Sequence, residues 1–265
     1  MKKISSFLVV LLLMSVSFMA NAQEYPRGDV SQDGAVDIAD VTDLINYLLT
    51  GTWPDEPVTE GDWVDLGLPS GTLWATRNVG ADNPEDYGDY FAWGETEPKE
   101  VYSWTTYKWA YYDDEGNLCF YDEELTDDSY LGEDLELRRD DDAAYVHYLE
   151  EGDNPDYHHA RMPSYEQMLE LYHNCTWQWT QRNGVNGQLM TGPNGNTMFL
   201  PAAGVRMDDL LYNVGSEGCY LSRDRVLELV NNAYALDFLS TFLAPNPDYA
   251  RFPGYSVRAV REPNK

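Results

Sequence analysis

Basic residues are scarce in this 265-residue sequence. It has 17 lysines and arginines against 46 aspartates and glutamates, and a formal net charge of −29. A surface of this sign repels nucleic-acid backbones and anionic lipid head groups. We therefore expect neither nucleic acid nor a membrane surface as a partner, whereas cations are compatible. A dense part of the acid lies in residues 113–142, which we interpret as a solvated loop.

Enzyme signatures are also lacking. There is no GxSxG, no HExxH, no P-loop and no dinucleotide-binding glycine pattern. The adjacent histidines His158 and His159 would point apart on a strand or loop, so a metal cluster there is not expected. No pair of carboxylates stands out as the acid and base of a glycosidase in a chain this acidic. The sequence thus predicts a non-catalytic protein.

The three cysteines show neither CxxC nor zinc-site spacing. A disulfide between two of them is open at this point, and the sequence does not choose among Cys119, Cys175 and Cys219. After the first 22 residues no apolar segment is long enough to cross a bilayer, so no membrane span is expected.

The chain begins with the pattern of an export signal. Lys2 and Lys3 precede an apolar run at 7–14, and Ala20-Asn21-Ala22 gives the small residues that a signal peptidase needs before Gln23. The run is too short to span ~30 Å of hydrocarbon comfortably. We therefore predict a signal peptide at 1–22 and a secreted or cell-surface protein.

Oxygen-bearing side chains recur with metal-site spacing within residues 25–51. They occupy positions 1, 3, 5, 9 and 12 of a loop, with Gly34 at position 6 for the sharp turn, and an amphipathic helix follows up to Gly51. Calcium prefers six to eight oxygens, so we predict an EF-hand-like calcium site. The alternative is an Asp- and Gly-rich turn before a helix. The predicted ligands are Asp29, Ser31, Asp33, the carbonyl of Ala35, Asp37 through water, and Asp40.

This loop and the run Val36–Leu49 resemble the repeat of type I dockerins. Dockerins normally carry two such repeats and dock onto cohesins in extracellular assemblies, whereas this chain has one. The resemblance implies calcium as the cofactor and a cohesin-like partner. It also supports an alternative function, as a component of an extracellular polysaccharide-degrading assembly.

Residues 52–61 read as a linker containing Pro54 and Pro57, and residues 62–261 as one domain of short strands, turns and few helices. Ser164 and Gln167 form a capping-box pattern that predicts the clearest helix, and 140–149 is a shorter helix candidate. The predicted strands are 62–66, 72–79, 197–200 and 256–261.

Several blocks of this domain, in order, resemble the Fibrobacter succinogenes major paralogous domain. The opening block runs from Val64 to Ala75 and continues with Asn78-Val79-Gly80. The other matching blocks are 87–95, 161–164, 174–177, 192–196, 199–204 and 256–260.

The residues themselves predict an α+β domain with irregular loops, and the resemblance implies that its fold is C-type-lectin-like or formylglycine-generating-enzyme-like. In such a fold the first and last strands pair and long loops carry function, so we expect 62–66 to pair with 256–261. Formylglycine-generating enzymes use a cysteine pair near the C-terminus, where Cys219 stands alone. An enzyme of that kind is therefore the less favoured alternative to a binding or adhesion protein.

The stretch between Cys219 and Tyr255 departs most from the family and is our predicted binding surface for a glycan or a protein ligand. Three aromatic residues there lie beside prolines or a glycine, which favours a loop. We take 226–243 to be core, and the alternative for the three aromatics is that they also pack inward. The predicted ligand-binding residues are Tyr249, Phe252 and Tyr255.

Overall fold

The structure is a computed structural model that describes residues 59–60, 63–121, 136–150, 160–227 and 229–262. The chain divides into two units, Met1–Glu56 and Pro57–Lys265, and the described residues all belong to the second. The predicted signal peptide and the predicted calcium ligands Asp29 to Asp40 lie outside the described residues. No described helix is both long and apolar enough to cross a membrane.

Short antiparallel sheets make up most of the described chain. The first sheet has the order β1-β2-β3-β14, a second pairs β4 with β5, and a third runs β6-β7-β8. A fourth pairs β9 with β10, and a fifth runs β11-β12-β13. The strands are β1 Thr59–Glu60, β2 Trp63–Asp65, β3 Leu73–Ala75, β4 Ala110–Tyr112, β5 Leu118–Phe120, β6 Thr176–Arg182, β7 Val185–Thr191, β8 Thr197–Pro201, β9 Val205–Met207, β10 Leu210–Tyr212, β11 Gly218–Arg225, β12 Asn232–Leu239, β13 Phe242–Ala250 and β14 Val260–Arg261.

Two short α-helices complete the described elements, α1 Ala143–Glu150 and α2 Tyr165–Asn174, with a 3-10 turn at Arg139–Asp141 before α1. The predicted α+β class is therefore wrong for this part of the chain, which is mostly β. The prediction gave too much weight to two helical patterns, although strands and turns fill most of the sequence between them. The lectin-like and formylglycine-enzyme-like fold assignment is withdrawn with it.

Helix α2 begins where its capping pattern predicts. The Ser164 hydroxyl accepts a hydrogen bond from the Gln167 main chain at 3.1 Å, and the Gln167 side chain accepts one from the Ser164 main chain at 2.9 Å. This reciprocal box satisfies two donors that the first turn of a helix leaves free. Met168 and Leu171 then turn one face of the helix into the core.

The first and last predicted strands do not pair with each other. β3 lies between them, pairing with β2 on one side and with β14 on the other, where Val260 is opposite Trp74. The predicted strand 256–261 is regular only at its end, and Val257 and Ala259 instead accept single hydrogen bonds from Val79 and Ala75. Two residues of the predicted linker, Thr59 and Glu60, form β1.

Two buried clusters lie on opposite sides of β11. Successive side chains of a strand point to opposite faces, so Cys219 and Leu221 enter the first cluster and Tyr220 enters the second. Trp93 and Tyr255 belong to the first cluster, which we call the first core, and Leu171 belongs to the second core.

Candidate ligand-binding groove

An open groove of about 350 Å³ lies on the surface beside the first core. Four aromatic rings, one methionine, two hydroxyl side chains and one carboxylate line it. They come from four separate parts of the chain: Ser103, Trp104, Thr105, Tyr112, Met207, Asp208, Tyr212 and Phe252.

The β4–β5 hairpin forms one wall of this groove. Because side chains alternate along a strand, Tyr112 faces the groove while its neighbour Tyr111 faces the other way and packs against Tyr121, with ring centroids 5.3 Å apart. The two tyrosines are similarly exposed, at 49% for Tyr112 and 45% for Tyr111. Phe120 lies on the groove side of β5 and contacts Trp104.

The β9–β10 hairpin forms the opposite wall and is anchored by its main chain. Tyr102 and Asp208 exchange two main-chain hydrogen bonds of 2.8 Å, and Arg206 and Gly254 exchange two of 2.9 Å. A Cβ on Gly254 would lie 2.7 Å from the Tyr102 ring, so only glycine fits this close approach. These contacts hold Met207, Asp208 and Tyr212 in place along the groove.

Trp104 and Phe252 lie side by side in the groove, with ring centroids 4.7 Å apart. Trp104 also packs edge-on against Phe120 at 5.4 Å and Tyr107 at 5.7 Å. Both Trp104 and Phe252 are half-buried, so each ring packs on the first core and still presents an edge or face to solvent. A supported ring of this kind offers contact area without losing side-chain freedom on binding.

Asp208 supplies the only charge among the residues that line the groove. Its φ of 53° lies in the left-handed region, which aspartate tolerates better than most residues. Its side chain is exposed and makes no hydrogen bond or ion pair to any described residue. The main chain thus holds a free carboxylate beside four aromatic rings, which suits a ligand that carries hydroxyl or ammonium donors.

The structure brings one of the three predicted ligand residues to this groove. Phe252 lines it, whereas Tyr249 lies on β13 and hydrogen-bonds the Asp237 side chain. Tyr255 is 3% exposed, donates its hydroxyl to the Ala250 carbonyl at 3.0 Å, and belongs to the first core. Burial raises the pKa of the Tyr255 hydroxyl well above its ordinary value. Tyr255 therefore packs inward, and Tyr249 is only partly accessible.

The predicted core stretch 226–243 is also only partly correct. Val226, Leu236 and Phe238 are buried, but several apolar side chains in it are exposed. The β12 strand turns alternate residues inward, and the segment before it follows no strand pattern. The exposed side chains are Leu227, Leu229, Val230, Leu239 and Phe242.

A network of partly buried ion pairs near α1 is structural. Asp142 is fully buried, accepts hydrogen bonds from the first turn of α1, and pairs with Arg161 at 3.0 Å. Burial raises the pKa of Asp142, and the Arg161 guanidinium opposes that shift. Glu136 joins the network through Arg161 at 3.5 Å and also pairs with Arg223 at 2.8 Å. Because these charged groups pair with one another around the buried Asp142, we assign them a structural role.

The described residues include no group of three or more histidine, cysteine or acidic side chains arranged to hold a metal. Cys119, Cys175 and Cys219 are all free thiols in this structure. No protein-family model, curated protein or solved structure matches the chain. The functional interpretation therefore depends on the geometry of the groove and on the sequence patterns.

Proposed function

We propose that this chain is an exported, calcium-binding, non-catalytic protein whose second unit binds a saccharide in the aromatic groove. The observation that carries the proposal is the lining: four partly exposed rings next to two hydroxyls and one free carboxylate. Export and calcium binding are supported by the sequence patterns at 1–22 and 29–40.

Sugar rings match such a lining because they have two chemically different surfaces. Their C–H faces are apolar and weakly positive, and they stack on the negative face of an aromatic ring. Their hydroxyl edges donate hydrogen bonds, which Asp208, Ser103 and Thr105 are placed to accept. Tyr112 and Tyr212 add phenolic groups at the two walls.

The size of the groove favours a small ligand over a protein surface. Its volume of about 350 Å³ falls in the usual range for small-molecule sites. A standard protein interface instead covers about 800 Å² on each partner. A saccharide is thus the better match of the two ligand classes that the sequence suggested.

Binding without hydrolysis follows from the same lining. Glycoside hydrolysis commonly needs two carboxyl groups about 5–10 Å apart, one as acid and one as base or nucleophile. Asp208 is the only carboxylate among the groove-lining residues that the structure describes. The second role therefore has no residue among the described residues that line the groove.

Replacing Tyr112 by alanine should weaken saccharide binding about tenfold, because a stacking surface at the groove wall is lost. The measurement is the affinity of the full chain for oligosaccharides that it captures on a glycan array, followed by calorimetry. Tyr111→Ala is the matched control, since Tyr111 is equally exposed on the opposite face of the same strand.

We expect Tyr111→Ala to bind as the unchanged chain does. Equal binding by both variants would remove the groove from the proposal, and absence of any saccharide bound by the unchanged chain would remove the proposed function. Product formation from a bound oligosaccharide would contradict the non-catalytic assignment.

Calcium should bind the full chain, and Asp33→Ala or Asp40→Ala should weaken that binding sharply. These carboxylates supply ligands to a cation that needs six to eight oxygens. A bound ion adds RT ln(1 + [Ca]/Kd) of stability, about 2.7 kcal/mol at a hundredfold excess. Titration calorimetry measures this, with the exposed Asp82→Ala as control. Unchanged binding in both loop variants would rule out the loop as the calcium site.

A further inference from the structure

The charge in and around the groove is one-sided. Asp208 is the charged residue of the lining, and the basic side chains nearest to the lining residues in the chain pair or pack with other groups. Lys108 pairs with Asp141 at 3.3 Å, and the Arg251 guanidinium lies over the Trp93 ring at 4.4 Å. Lys99 binds Glu95 at 2.6 Å and the Thr106 carbonyl at 3.0 Å, while Arg206 lies over the Tyr90 ring at 5.2 Å. The groove therefore presents one negative charge that no described cation neutralises.

The aromatic rings of the groove also favour a cationic ligand. The face of a tryptophan, tyrosine or phenylalanine attracts a cation, and the attraction grows where water is partly excluded. Trp104, Tyr112, Tyr212 and Phe252 all border the same groove as Asp208. A net charge of −29 further attracts cationic ligands and repels anionic ones.

The main chain at Asp208 is held in place by its neighbours. Both its main-chain groups bond to Tyr102, and the Tyr102 ring packs on Gly254, which is itself bonded to Arg206. Asp208 is the first residue of the two-residue turn between β9 and β10, a position at which hairpin turns require the left-handed φ that it adopts. Its neighbour Asp209 is exposed but does not line the groove.

We propose that the groove selects amino sugars with a free, protonated amine, and that Asp208 binds the ammonium group while the aromatic rings contact the sugar face. This inference rests on the proposed function. N-acetylated sugars lose the charge that Asp208 recognises, and acidic sugars are repelled by it. The two hydroxyl side chains, Ser103 and Thr105, favour a sugar over a bare alkyl ammonium ion, because they can bond its hydroxyl groups.

The test compares three oligosaccharides of equal length by titration calorimetry with the full chain: a glucosamine oligomer, an N-acetylglucosamine oligomer and a galacturonate oligomer. An oligolysine peptide is the fourth probe, because its ammonium groups lack a sugar ring. We expect the glucosamine oligomer to bind about tenfold more tightly than its acetylated form, and the galacturonate oligomer not to bind.

Asp208→Asn should reduce the affinity for the glucosamine oligomer about tenfold more than the affinity for the acetylated oligomer, because the asparagine oxygen still accepts a hydrogen bond but carries no charge. Asparagine also tolerates the left-handed backbone, so the variant should fold, which its melting temperature checks. Asp209→Asn removes an equal charge next door and is the matched control. We expect the Asp209→Asn variant to retain most of the preference for the glucosamine oligomer over its acetylated form.

The outcomes separate this inference from the proposed function. Equal binding of both glucosamine forms, or equal effects of the two Asn variants, would overturn the inference and leave saccharide binding in place. Binding of oligolysine with no binding of any saccharide would overturn both and make the groove a site for basic peptides.

Discussion

Replacing Arg258 by alanine should lower the free energy of unfolding of the second unit by about 3–5 kcal/mol. The side chain is 1% exposed and is one of the largest fully buried groups. Its guanidinium donates two hydrogen bonds to the Asn78 side chain, at 2.8 and 3.0 Å, and one each to the Ala75 and Phe199 carbonyls, at 2.9 and 3.0 Å. Truncation leaves these buried acceptors without their donors and opens a cavity.

Burial lowers the pKa of Arg258 to about 10, which still leaves it charged at neutral pH. The hydrogen bonds join β3, β8 and the segment before β14, so the loss should be felt across the unit rather than at one loop. Urea denaturation followed by fluorescence measures the change, with the slope of the transition as a check on two-state behaviour.

Arg182→Ala provides the control for this substitution. The Arg182 side chain is 49% exposed and pairs with Glu85 at 3.5 Å, and exposed pairs of this kind contribute little. We expect its loss to change stability by less than about 0.5 kcal/mol. An Arg258→Ala variant that is destabilised no more than Arg182→Ala would contradict the structural role assigned here.

Local sequence patterns predicted the local parts of this fold well. Ser164 and Gln167 fixed the start of α2 because a capping box needs only residues three positions apart. The predicted strand 197–200 is confirmed as β8.

Long-range pairing was not available from such patterns. The closing residues 256–261 have the composition of a strand, but nothing in them identifies β3 rather than β2 as the neighbour. Apolar composition likewise suggested core for Leu227 and Leu239, which are exposed. Register and edge position decide both questions, and they depend on residues far away in the chain.

The groove was only partly predictable for the same reason. Its lining comes from residues near 104, 112, 210 and 252, and no spacing in the sequence connects these segments. Phe252 was found because a proline and a glycine follow it. Tyr112 was missed because it borders the acidic stretch 113–142 that we interpreted as solvated loop. Alternation along β4 would have separated Tyr111 from Tyr112, but only once that strand was recognised.

Ending the chain after Pro253 should abolish cooperative folding of the second unit. The removed segment contributes Tyr255, Val257, Ala259 and Val260 to the two cores, and all four are buried. It also carries Arg258 and β14, so β3 becomes an unpaired edge. Burying one large apolar side chain contributes about 1.5–3 kcal/mol. Losing several of them together with Arg258 removes a large part of the roughly 5–15 kcal/mol by which a domain is stable.

A chain ending at Glu262 is the matched control, because it keeps β14 and every described residue. Circular dichroism during heating should show a cooperative transition for this control and none for the chain ending at Pro253. Pairing of the first and last strands, as the sequence suggested, would have made β2 the strand that loses its partner in this truncation. In the structure β2 keeps its partner β3. The truncation instead removes buried side chains from both cores and leaves the outer edge of β3 unpaired. A soluble fragment ending at Pro253 that melts cooperatively would show that the closing segment is dispensable, together with the hydrogen bonds that Arg258 donates to Asn78, Ala75 and Phe199.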